Sequence, residues 1–299
     1  MTKFNVLIIT LIVCTTPVVS DSSFSAEAPM NNSQSLTTED VTKYLKDLER
    51  DPDKEFQSEF VRTTDLELAL INQFGFSGLK LVFAKQNSEN YYQLGDFPAE
   101  SPWHKLNGLR PEKAIDTIFE PVSNKLPELL SIMKQRIRFI YTEKVGEEWR
   151  LHYLMNIRLY DQREYFHVYT GGAPNTAPTE NDTLRQYKWR LPKDLAEFYS
   201  VHDGFGDLDS SYISSNKQLT VMGEMMNPIA KQQNVFPDGY TFNDLLEFMP
   251  DGSGNAQCFL RVGREAQTTV DWDHEVWEIS EGTNFYDFVD YRLAQLDEE

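Results

Sequence analysis

Residues 247–275 read EFMPDGSGNAQCFLRVGREAQTTVDWDHE. Pro250, Asp251, Gly252 and Gly254 form a turn-rich run, because glycine supplies left-handed backbone and an Asp side chain bonds the chain two residues on. Residues 258–262 make a short apolar strand, and Asp271-Trp272-Asp273-His274-Glu275 closes the stretch as a compact acidic cluster. Successive side chains of a strand point to opposite faces. Asp271, Asp273 and Glu275 therefore share one face, and Trp272 and His274 share the other. The stretch reads as a turn, a strand and an acidic strand face backed by a packed Trp272.

Two chemical alternatives compete with that reading. Asp251-Gly252-Ser253-Gly254-Asn255 spaces its oxygens like the start of a calcium loop. Such a loop needs Gly at its sixth position and Glu at its twelfth, where this chain has Ala256 and Val262. The acidic cluster holds metal-ligand types, but without a converging spacing such as H-E-x-x-H. Both are set aside, and no metal or cofactor is expected. Asp251, Asp271, Trp272, Asp273, His274 and Glu275 are read as a contact edge for a partner. Cys258 reads as a small buried apolar residue. The histidines, His104, His152, His167, His202 and His274, lie in no triad motif, and there is no GxSxG, P-loop or dinucleotide fingerprint. His202 sits at a predicted helix C-terminus, where the dipole favours a cation, and is given a structural role. No catalytic residue is assigned.

Outward from the stretch, Asn284 caps a helix in which Phe285, Phe288, Val289, Arg292, Leu293 and Leu296 recur at three- and four-residue steps. On the other side, residues 242–248 are ambiguous between a short helix and a loop, and 219–222 read as a strand. Residues 191–199, LPKDLAEFY, read as a helix with Pro192 at its start, ended by Asp203-Gly204-Phe205-Gly206. Residues 171–182, GGAPNTAPTEND, have the composition of a linker between domains.

Before that linker, residues 137–142, 149–160 and 165–169 read as an antiparallel meander. In its middle strand Leu151, Tyr153, Met155, Ile157 and Leu159 alternate with Arg150, His152, Asn156, Arg158 and Tyr160. That pattern predicts one buried and one wet face. Helices are expected at 111–119 and 124–134, with others opening at Thr37 and spanning 64–74. Strands are expected at 79–84 and 91–94. The fold class is α+β. Two units are expected, one of unassigned type at 36–170 and one at 183–299, after a flexible linker at 21–35.

Lys3, the apolar run 4–19 and the small residues before Asp21 have the three parts of a signal peptide cleaved after Ser20. The run is short for a membrane span. An uncleaved anchor is the alternative, and a lipid on Cys14 would follow an unfavourably bulky Val13. The expectation is export to the periplasm or the exterior, with no stable membrane insertion after cleavage. Asn31-Asn32-Ser33 and Asn181-Asp182-Thr183 match the glycosylation triplet.

Over 299 residues the formal net charge is −19. From Leu184 onward 9 basic residues face 21 acidic ones, a net of −12. Such a surface repels nucleic acid and anionic lipid and serves solubility. A basic protein partner would dock on the C-terminal part.

One ordered set of residues in that part runs from Leu191-Pro192-Lys193-Asp194-Leu195 with Phe198 to His202-Asp203-Gly204. It continues with Leu246-Glu247-Phe248, Asp251-Gly252-Ser253-Gly254-Asn255 and Cys258-Phe259. It ends with Val270-Asp271-Trp272-Asp273-His274-Glu275 and Phe285-Tyr286-Asp287-Phe288-Val289. The set resembles the SUKH superfamily, which includes the yeast cell-wall-assembly regulator. The resemblance implies a mixed sheet flanked by helices. Many bacterial members are similar to immunity proteins that neutralise toxins, often nucleases, and no catalytic residues are generally assigned to the family. The expected function is that of a non-enzymatic exported protein-binding protein, such as an immunity protein holding a toxin-like domain. A secreted hydrolase or metal-dependent enzyme, and a structural envelope protein, are the alternatives.

Overall fold

The structure, a computed structural model, describes residues 91–158, 164–207, 211–234, 239–251, 253–263, 265–280 and 282–295. The expected signal segment, first linker, first two helices and the strand at 79–84 lie outside them.

Prolines open the first two helices, α1 (Pro111–Ile118) and α2 (Pro127–Arg136). A proline costs nothing there, since its missing N–H would have had no partner in the helix. Ala114, Ile115 and Ile118 of α1 and Leu129, Leu130 and Met133 of α2 turn inward. They pack on a sheet built around the meander β2 (Ile137–Val145), β3 (Glu148–Arg158) and β4 (Glu164–Gly172), with β1 (Tyr91–Gln93) on the outer edge. Gly146, at φ +61, makes the tight β2–β3 turn.

The sheet does not stop at residue 172. β4 pairs with β5 (Phe205–Asp207), and β5 with β6 (Ser211–Ile213), giving the order β1-β2-β3-β4-β5-β6. A second sheet has the order β11-β10-β9-β8-β7, from β7 (Thr220–Val221), β8 (Leu245–Pro250), β9 (Ala256–Val262), β10 (Glu265–Asp273) and β11 (Glu278–Ile279). The Ser214 N–H donates to Phe248 O at 2.7 Å, tying the end of β6 to β8. Helices α3 (Asp182–Gln186), α4 (Lys193–Tyr199), α5 (Gly223–Gln233) and α6 (Phe285–Ala294) complete the chain. The protein is thus α+β. Every ladder among the described residues is antiparallel, where the resemblance implies a mixed sheet.

The composition of 171–182 predicts a boundary, but sheet and core run through it. One apolar cluster joins Phe97, Phe119 and Met133 to Phe198, Phe248, Phe259 and Leu293. The described residues, from Tyr91 to Gln295, belong to one compact unit. Asp290 of α6 ties the two sides together. Leu126 cannot cap α2, and the Asp290 carboxylate accepts instead from the N–H groups of Glu128 (3.1 Å) and Leu129 (2.8 Å). A carboxylate is well placed at that positive helix end.

One local expectation changes, and one helix lies where the sequence reading places no element. Residues 242–248 are a short helix only at their start: a Thr241–Asp244 capping box makes one 3-10 turn over Phe242–Asp244, and β8 follows at once. Leu245 enters one core, while Leu246 and Phe248 enter the other, so no alternation betrays the strand. Helix α5 carries Pro228 in its interior. Proline removes a donor, so the segment does not read as a helix.

Candidate functional site

The stretch at 247–275 folds as two turns that meet at one end of the second sheet. Asp251 opens the β8–β9 turn, its carboxylate accepting from Ser253 N–H (2.8 Å), Ser253 Oγ (2.7 Å) and Gly254 N–H (3.1 Å). Partial burial works to raise the Asp251 pKa, but the bonds from Ser253, Asn255 and Gly254 outweigh it and hold the carboxyl below its ordinary value. Asp273 organises the β10–β11 turn by accepting from the N–H of Glu275 at 2.8 Å. Asn255 links the turns: its Oδ1 accepts from the His274 N–H (3.0 Å) and from the His274 ring at Nδ1 (2.8 Å). Gly254 sits at φ +116, and a Cβ there would press on that ring at 3.2 Å. Asp271 accepts from Gln257 Nε2 at 2.8 Å, and its N–H donates to Ser280 Oγ at 2.9 Å.

Asp251, Asp271, Asp273 and Glu275 are exposed. The three aspartates accept from backbone amides and neutral side chains, and none of the four carboxylates has a Lys or Arg ion pair among the described residues. β10 ends at Asp273, so Glu275 lies in the turn and not on the strand face that alternation predicts. Trp272 is 1% exposed and packs edge-on against Phe242 (5.3 Å) and Trp277 (6.1 Å). His274 is half-buried against Asn255. Trp272 and His274 therefore hold the corner in shape, and the four carboxylates form its surface. Val276, 59% exposed, and Glu278 join that surface. The strict strand reading hid both, because it ran β10 on through the turn.

The chemistry-bearing residues elsewhere are occupied structurally. Cys258 is fully buried with its Sγ 3.4 Å from Met222 Sδ, and burial pushes its thiol pKa well up. A nucleophilic cysteine needs the reverse. His152 is buried on the sheet face expected to be wet, stacked on Tyr141 at 4.7 Å. It lies between Glu143 Oε2 (3.3 Å, from Nε2) and Thr170 Oγ1 (3.0 Å, from Nδ1). Burial pushes the His152 pKa down, so we assign a neutral ring that donates from Nε2 to the Glu143 carboxylate and accepts the Thr170 hydroxyl at Nδ1. Carboxylate, imidazole and hydroxyl here sit on β2, β3 and β4 as a relay. Thr170 is 3% exposed in mid-strand, and the relay's evident work is satisfying buried polar groups. No sequence motif signals it, since the three residues meet only through strand register.

Asn181 accepts the Leu184 N–H as the α3 cap, and its Nδ2 donates to Asn216 O (3.1 Å) and Leu219 O (2.8 Å). A sugar on that nitrogen would break these bonds, so the Asn181 triplet is not a usable glycosylation site in the folded chain. Asn31 lies outside the described residues. Among the described residues no group of three or more His, Cys, Asp or Glu is placed to hold a metal ion, and no helix is long and apolar enough to cross a membrane. No family model and no curated protein matches the sequence.

Proposed function

We propose that this chain is a non-enzymatic, exported protein-binding protein that docks a basic partner on the acidic corner of its second sheet. The observation that carries the reading is the corner itself. Asp251, Asp271 and Asp273 are oriented by amide and hydroxyl donors, Glu275 stands exposed beside them, and among the described residues no Lys or Arg pairs with any of the four. Charge presented in this way speeds encounter with a positive surface and selects against acidic competitors. The SUKH resemblance, carried by the same residues, makes an immunity protein the specific form of the reading, with a toxin-like basic domain as the partner. The signal-like segment before Asp21 puts that encounter in the periplasm or outside the cell.

Co-purification tests it. The full chain, drawn from native extract at low salt, is expected to retain a basic protein that high salt releases. The combined variant Asp271→Asn, Asp273→Asn, Glu275→Gln is expected to lose it. Absence of any protein at either salt, or equal retention by the variant, would count against the proposal. The recovered mature chain is expected to begin at Asp21, and an intact Met1 would remove cleavage after Ser20 in favour of the uncleaved anchor.

A further inference from the structure

The seam between β4 and β5 is short. Two residue pairs, Thr170 with Gly206 and Gly171 with Phe205, make the ladder. The Gly172 N–H adds one bond to Gly204 O at 2.9 Å. His202 lies across this seam and touches both strands. Its Nδ1–H donates to Gly172 O of β4 at 2.9 Å, and its ring stacks on Phe205 of β5 at 5.3 Å and 16°. Nε2 accepts the Tyr153 hydroxyl of β3 at 2.8 Å. Trp103 (6.0 Å) and Phe119 (5.5 Å) close the cage, and the side chain is fully buried. The fit needs glycine at 171, where a Cβ would stand 2.3 Å from His202 Nδ1.

We propose that His202 is an acid-released latch: taking up a proton at Nε2, it loosens the β4–β5 seam. The added proton meets the Tyr153 hydroxyl, which must turn its own hydrogen away. The resulting cation then sits among aromatic rings. Of the titratable groups on the packed elements, Tyr153 alone bonds the ring. Tyr169 of β4 donates to Leu293 O, Tyr199 of α4 donates to Ser214 O, and His167 of β4 faces Asp207 of β5 at 3.6 Å. The neighbouring Asp203 carboxylate is turned to the Asn216 N–H (2.5 Å) and Asn175 Nδ2 (3.0 Å). No carboxylate among the described residues bonds the imidazolium.

Burial lowers the His202 pKa to about 4, against an ordinary 6.5. The unfolded chain therefore binds the proton first as pH falls. In the folded chain the latch stays closed until pH nears 4, while its contribution to stability is present above pH 6.5 and is lost between 6.5 and about 4. From pH 7.5 to 4.5 this one group lowers the folding constant about 70-fold.

Urea unfolding of the full chain at both pH values, for the natural sequence and His202→Gln, is the test. Carboxylates titrate in the same window, so the difference between the two chains is the readout. The natural chain is expected to lose about 70-fold more than the variant. Histidine ring NMR on the natural chain supplies the second measurement should the variant fail to fold. The His202 signal is expected to stay neutral to below pH 5, with amide protection at Gly171, Gly172 and Gly206 failing as it titrates. An ordinary titration near 6.5, or equal acid losses in both chains, would overturn the proposal.

Discussion

Two glycine-rich stretches carry opposite structural duties. Gly171–Gly172 ends β4 and packs against the His202–Asp203 segment so closely that neither position has room for a Cβ. A Cβ at Gly172 would lie 2.1 Å from Asp203 O. Gly254, in the acidic corner, is needed first for its backbone at φ +116, with space a lesser matter. The first glycine pair is required by a segment thirty residues away in the chain. The second is required by the turn that contains it. A local composition of Gly, Pro and Asn cannot distinguish these cases.

The largest expected effect follows from the first stretch. Gly171→Ala is expected to cost about 3 kcal/mol or more, because the His202 ring has no free side to move into. Urea unfolding measures it. Asp290→Asn is expected to cost about 2 kcal/mol by the same assay, since α2 loses the charged cap that joins the two halves of the compact unit. Gly254→Ala is expected to cost about 1–2 kcal/mol, the strain of a left-handed backbone eased by a shift of the His274 ring. A larger loss at Gly254 than at Gly171 would break the comparison. The smallest stability effect belongs to the corner's surface. Replacing Asp271 and Asp273 by Asn and Glu275 by Gln is expected to change stability by less than about 1 kcal/mol, since exposed charges contribute little and amide oxygens still accept the turn bonds.

The corner was legible because its determinants are local. The D-G-S-G-N turn, the buried Trp272 and the exposed Asp271 and Asp273 all follow from turn chemistry and strand alternation over a few residues. The Asn284 cap and α6 follow for the same reason. What stayed hidden depends on distant partners. GGAPNTAPTEND has a linker's composition, yet its first two residues take part in a sheet and in the tightest backbone approach described here. His202 reads as a helix-end cation, and burial among Trp103, Phe119 and Phe205 makes it neutral instead. The meander's second face reads as wet, while His152, Leu154 and Thr170 on it are buried. In each case the deciding neighbour arrives from another part of the chain, where periodicity carries no information.

On the proposed reading, the exposed carboxylates of the corner bind a basic protein. Titration calorimetry with the partner recovered at low salt decides this by comparing the natural chain with the Asp271→Asn, Asp273→Asn, Glu275→Gln variant. Binding is expected to weaken about tenfold in the variant, with a shallower dependence on salt. Equal affinity and equal salt dependence in the two chains would contradict the claim.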